Sequence, residues 1–103
     1  MNNKMAFKPS KEMEEQNPQL MKYTKEILFD EIWLDESLSS RERSLITLSV
    51  LATIGNTEQL DYHIKSAYRN ALNKDELIAL TTHLTFYIGL PSSIQLLNKI
   101  MDS

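Results

Sequence analysis

The chain has 103 residues, with 11 lysines and arginines against 14 aspartates and glutamates, a net charge of −3, two histidines and no cysteine. That length is one small domain, and a cysteine-free chain has no disulfide, no thiolate metal site and no thiol redox chemistry. Charges of both signs are spread along it without a basic tract to hold nucleic acid, and its apolar-rich stretch, 45–54, is far too short for a membrane span.

Residues 1–16, MNNKMAFKPSKEMEEQ, are polar and carry no usable periodicity. They are expected to be a mobile arm, or one that orders only against a partner. This N-terminal stretch has no apolar segment of the signal-peptide kind, so a cytoplasmic location is the expectation. Residues 17–103 form the folded domain, in which everything reads as helix. Its glycines and prolines fall at element boundaries, and β-branched alternation is absent. A first helix is expected from the Asn17 cap and Pro18 to about Leu34, with Lys22 and Glu26 spaced for a weak pair. Trp33, near its end, is expected to anchor the core or a subunit contact. The linker DESLSS follows.

A second helix opens at SSRERSL, where Ser39 and Glu42 fit a capping box, and stops at Gly55. Its apolar residues, Leu45, Ile46, Leu48, Val50, Leu51, Ala52 and Ile54, lie all around the helix. Such a helix is buried on every side. Four short partner helices could hardly cover it, so a homo-oligomer is expected. The third helix starts at NTEQ, with Asn56 and Gln59 as capping pair, and carries a stripe of Leu60, Ile64, Ala67, Ala71 and Leu72. The fourth, 74–88, is capped by Asn73 and Glu76, places Leu77, Leu80, Leu84, Tyr87 and Ile88 on one face, and stops at Gly89. Pro91 opens a last short helix, PSSIQLLNKIM. Five helices with short connections predict an all-α, single-domain helical bundle.

Few residues carry chemistry. His63 lies at the edge of its helix's apolar stripe, which suits either a pocket wall or the rim of the core. His83 and Tyr87 are four apart and lie side by side, as a polar pocket wall or as a pair covering the core edge. Arg41 and Arg43 open the second helix, where the macrodipole disfavours cations. That cost is tolerated if Glu42 or Glu36, or an anionic ligand, pairs with them; a guanidinium fork suits a carboxylate. The two histidines lie on separate helices without metal-ligand spacing, so no metal site is expected. Ser44 and Ser49 lack the neighbours of a hydrolase triad, and there is no glycine-rich phosphate loop.

Residues 31–93 as a whole resemble a carboxymuconolactone decarboxylase domain. The resemblance rests on a Trp followed by RERSLITL, then LATIGNTEQLDYHIKSA, an acidic DEL helix start, and H-x-x-x-Y-x-G-x-P. It implies an alkylhydroperoxidase-like all-helical fold that assembles into rings, a trimer or hexamer. One branch of the family is a thiol peroxidase with a Cys-x-x-Cys pair, a histidine four residues on and a glutamate upstream. Here those positions hold Asn56, Gln59, His63 and Ser44, so that chemistry is excluded.

The other branch decarboxylates a carboxylated muconolactone without a cofactor, and its matching positions are Arg43, His63, His83 and Tyr87. The resemblance thus implies Arg43 as the cation for a substrate carboxylate and His63 as proton donor to the carbanion left by carbon dioxide. His83 and Tyr87 would orient the lactone, and Trp33 would line its site. The competing implication is a non-catalytic member that binds a small molecule or acts as an assembly scaffold. The family commonly has Asn-Gly in the turn before the fourth helix; this chain has LNK, so Asn73 must take the left-handed geometry or the turn must differ.

Overall fold

The computed structural model describes residues 8–103; the first part of the expected arm, residues 1–7, lies outside the described residues. Regular structure among the described residues is helical: α1 (Lys11–Gln16), α2 (Pro18–Tyr23), a π-wound segment (Thr24–Ile32), α3 (Ser40–Ile54), α4 (Thr57–Arg69), α5 (Lys74–Ile88) and α6 (Leu90–Met101). Contacts divide the chain into two compact units, one up to Ser40 and one from Arg41. None of the helices among the described residues is long and apolar enough to cross a membrane.

In the first unit, residues 11–16 of the N-terminal arm are helical. Ser10 caps α1 by accepting the Met13 N–H at 3.1 Å, and Glu12 and Glu14 sit in its first turn, where the macrodipole favours them. The short helix buries nothing. Asn17 caps α2 by accepting the Leu20 N–H at 3.0 Å, with Pro18 in its first turn, as expected. The helix then fails to continue as α. Residues 24–32 are wound more widely, and the Trp33 N–H reaches back five residues to the Leu28 carbonyl at 2.9 Å. The ion pair follows the wider turn: Lys25 binds Asp30, five residues on, at 2.8 Å, and the Lys22–Glu26 pair does not form. Both partners are well exposed, so this pair contributes little. Phe29 and Trp33 are the buried side chains among the described residues of this unit.

The second unit holds the core. Leu48 and Ala52 from α3, Leu60, Ile64 and Ala67 from α4, Leu77 and Leu84 from α5, and Leu96 and Ile100 from α6 form one cluster, joined by Leu72 of the α4–α5 turn. Each fully buried Leu or Ile contributes about 1.5–3 kcal/mol relative to exposure. α3 is expected to need other copies to cover it on every side, and within one chain it is covered only in part. It buries one stripe, Ser44, Leu48 and Ala52. Ile46, Val50 and Ile54 remain 51%, 52% and 67% exposed. The reason is geometric: α3 is covered by neighbours on one side only, so residues four apart share the buried face.

Two helix ends use the same device. After α3, Gly55 has φ +76°, the Asn56 N–H bonds the Leu51 carbonyl at 3.0 Å, and the Gly55 N–H bonds the Ala52 carbonyl at 3.3 Å. This is a Schellman stop with glycine in its left-handed position. After α4 the pattern recurs, with Leu72 N–H to Ala67 O at 3.1 Å and Ala71 N–H to Tyr68 O at 3.3 Å. The left-handed residue there is Ala71, at φ +71°. Of the two alternatives for this turn the second holds: the turn differs, and Asn73 is extended and caps α5. Ala71 also leaves the expected α4 stripe, since it is exposed and past the helix end.

A left-handed alanine costs about 1–2 kcal/mol, part of which glycine returns through a more flexible unfolded chain. Ala71→Gly is therefore expected to raise stability by about 1 kcal/mol, or about 4–8 °C in Tm for a domain of this size. Thermal unfolding checks it, and a lower Tm would show that the Ala71 methyl is needed.

Arg41 braces the same turn. Its Nη1 donates to the Ala71 carbonyl at 2.6 Å and to Glu76 Oε1 at 3.1 Å, and its Nη2 donates to Glu76 Oε2 at 2.8 Å. Glu76 also accepts the Asn73 N–H at 2.9 Å while Asn73 accepts the Glu76 N–H at 2.8 Å, which completes the expected capping box. The partner of Arg41 is thus Glu76 and not Glu42 or Glu36. A fork-to-fork pair holds the start of α3 against the α4–α5 turn. Hydrogen bonding from Arg41 holds the Glu76 carboxyl below the usual range.

At the α5–α6 corner, Gly89 has φ +93° and ψ 155°, a region open essentially to glycine alone. Beside it the Ser93 hydroxyl donates to the Thr81 carbonyl at 2.8 Å, and Thr85 Oγ1 lies 2.8 Å from Ser93 Oγ. Buried polar groups are thereby paired across the corner.

Candidate functional site

α4 presents His63 at the edge of its buried face, one residue before the fully buried Ile64. The imidazole is half-buried, and burial pushes its pKa below the ordinary 6.5. It is therefore mostly neutral at neutral pH. The Tyr62 ring meets it edge-on, with centroids 4.9 Å apart and planes at 88°. Tyr62 was not singled out by its sequence position, because neighbours on a helix point about 100° apart and are not counted as a pair. Its hydroxyl and that of Ser66, one turn on, are buried without a hydrogen-bond partner. Burial raises the Tyr62 phenol above its usual value.

The His63 shift has a stability consequence. Between the lowered folded pKa and the ordinary value the unfolded chain binds more protons, so stability rises with pH there. The contribution is complete above about pH 6.5 and is lost as pH falls toward the folded value. Urea unfolding should show wild type losing more stability than His63→Gln between about pH 7.5 and about pH 5. Equal losses would mean that His63 titrates normally.

His83 and Tyr87 do not lie on the buried face of α5. His83 is exposed and Tyr87 is 76% exposed, a correction to the apolar face expected to include Tyr87. Their rings lie 5.0 Å apart, tilted by 35°. With Ala79, Thr82 and Phe86 they line an open depression of about 590 Å³ along the outer side of α5. The structure thus makes two aromatic pairs, Tyr62–His63 and His83–Tyr87, with no hydrogen bond between them among the described residues. Arg43 is half-buried on α3, and Trp33, in the first unit, is buried at 5% exposure. Ser44, beside Arg43, is buried and accepts the Asn70 side-chain N–H at 3.0 Å. That bond ties α3 to the end of α4.

The model of the carboxymuconolactone decarboxylase family matches residues 18–99. The chain belongs to this family. It is also similar to the 4-carboxymuconolactone decarboxylase of Acinetobacter baylyi, 32% identical over 77 residues, 75% of this chain and 58% of that protein. The chain thus matches less than two thirds of the relative's length.

As a carboxymuconolactone decarboxylase family member, this chain has put other work in the positions of the missing peroxidase groups. Asn56 caps α4 by accepting the Gln59 N–H at 3.3 Å, which is one half of the capping box expected there. Ser44, where the glutamate would stand, is a buried structural hydrogen-bond partner.

Proposed function

We propose that the chain is a cofactor-independent carboxy-lyase acting on a small carboxylated lactone of the 4-carboxymuconolactone kind. The family and the name of the Acinetobacter relative support the reaction class. The observation that carries it is His63, a half-buried, desolvated imidazole with an aromatic neighbour and, among the described residues, no hydrogen bond that would occupy it. When the carbon–carbon bond to the carboxylate breaks, carbon dioxide leaves and the electron pair passes into a dienolate. That carbon then takes a proton from the His63 imidazolium, which is reloaded from solvent.

A neutral His63 in the free protein suits this role because the substrate is anionic. A carboxylate held nearby favours the charged imidazole and raises its pKa on binding. Arg43 is the cation assigned to that carboxylate. His83 and Tyr87 orient the lactone. Since His83 and Tyr87 stand exposed on a single chain, the proposal includes cover from other copies, in a cytoplasmic homo-oligomer, a trimer or hexamer. The apolar residues to be covered are Ile46, Val50 and Ile54 of α3 and Phe86 of α5, 83% exposed.

The second reading is a non-catalytic binding or scaffold member. It is favoured by the separation of the two histidine pairs into distinct contacts. Incubation of the purified protein with 4-carboxymuconolactone decides between them. Carbon dioxide release in proportion to protein supports the lyase; binding without release supports the second reading.

A further inference from the structure

Among the described residues His63 has no hydrogen bond to hold its ring, and an imidazole that must meet a carbanion has to be oriented by something. Metal-free catalytic histidines are usually oriented by a carboxylate or carbonyl on the second nitrogen. Here the neighbour is an aromatic ring. From the edge-on contact of the two rings we propose that Tyr62 is a positioning residue for His63. It would hold the imidazole plane at right angles to its own and shield it from water. This rests on the reading of His63 as the proton donor.

Three observations support the assignment. The contact has the perpendicular geometry that the aromatic quadrupole prefers, with centroids 4.9 Å apart. The far end of the phenol is enclosed by protein, since its hydroxyl has no accessible surface. Burial alone depresses His63, with no charged side chain from α4 or from the helices packed on it among the causes, and the Tyr62 ring is the aromatic surface against it. The contact with His63 is made through the ring.

The test is an NMR titration of the two imidazoles in wild type, Tyr62→Phe and Tyr62→Leu, with His83→Gln to assign the signals. Wild type should show cross-relaxation between the Tyr62 and His63 ring protons, and His63 should titrate below the ordinary 6.5. Tyr62→Phe should keep both features at an equal or higher Tm. Tyr62→Leu should lose the ring-current shift of His63 and move its titration up toward the ordinary value. With 4-carboxymuconolactone, Tyr62→Leu should lower kcat about tenfold at unchanged KM, with Tyr62→Phe restoring it. If Tyr62→Leu leaves the His63 shift and titration as in wild type, the positioning role is wrong. If that variant does not fold, absence of cross-relaxation between the two rings in wild type overturns it equally. A normal NMR result without any turnover of wild type would sink the proposed reaction and leave the positioning of His63 standing.

Discussion

His63→Gln is expected to lower kcat/KM for 4-carboxymuconolactone by about 10²–10⁴-fold, the usual contribution of a positioned general acid. Glutamine keeps the size and polarity of the site and cannot deliver a proton. The pH profiles carry more information than the loss itself. kcat/KM reports the free protein, where burial has pulled His63 below 6.5. A required imidazolium therefore makes kcat/KM fall as pH rises through that lowered value. kcat reports the complex, where the substrate carboxylates raise the same pKa. Its alkaline limb should lie at higher pH than that of kcat/KM, and both limbs should vanish in the variant. Coincident limbs would mean that the substrate charge does not reach His63. Unchanged turnover would remove His63 from the reaction altogether.

Leu48→Ala is expected to destabilise the fold by about 2–5 kcal/mol, a large share of the roughly 5–15 kcal/mol that such a domain has. Leu48 is fully buried at the centre of the α3 stripe, in a core shared by α4, α5 and α6. Truncation removes apolar contact and leaves a cavity that the surrounding helices close only partly. The comparison that matters is Val50→Ala, two residues on. Val50 is 52% exposed in the single chain, so truncation there should cost no more than about 0.5 kcal/mol in dilute protein. If copies associate through this face, the cost grows with protein concentration, because association couples to stability by mass action. Urea unfolding at several concentrations separates the two cases. A large, concentration-independent loss at Val50 would mean that the monomer buries this face by itself.

The places where expectation and structure part company share a cause. Capping and stop signals act over three or four residues, so they were legible: Asn17, Asn56, Asn73 with Glu76, Gly55 and Gly89 all terminate helices where expected. The sequence leaves the left-handed position after α4 open between Asn73 and a different turn, and the structure puts it at Ala71. The hydrogen bonds from Leu72 and Ala71 back to Ala67 and Tyr68 set the stop, and they impose it on alanine. The partner of Arg41 was missed for another reason. Glu76 lies 35 positions away in sequence and comes near only because α3, α4 and α5 fold back on one another. The π winding of 24–32 likewise has no signature in a run of ordinary helix formers.

For the candidate site, residue types and family were readable and arrangement was not. The sequence by itself determined an all-helical chain, its helix boundaries in the second unit, the absence of thiol chemistry and membership of the carboxymuconolactone decarboxylase family. These depend on local hydrogen bonding, periodicity and residue identity. Only the tertiary structure decided that α3 buries one stripe and leaves Ile46, Val50 and Ile54 in solvent. It also decided that His63 is desolvated beside Tyr62 while His83 and Tyr87 stand exposed on α5. Exposure and desolvation depend on which helices pack across a given face, and a histidine has the same chemistry in sequence whichever side of that packing it falls on.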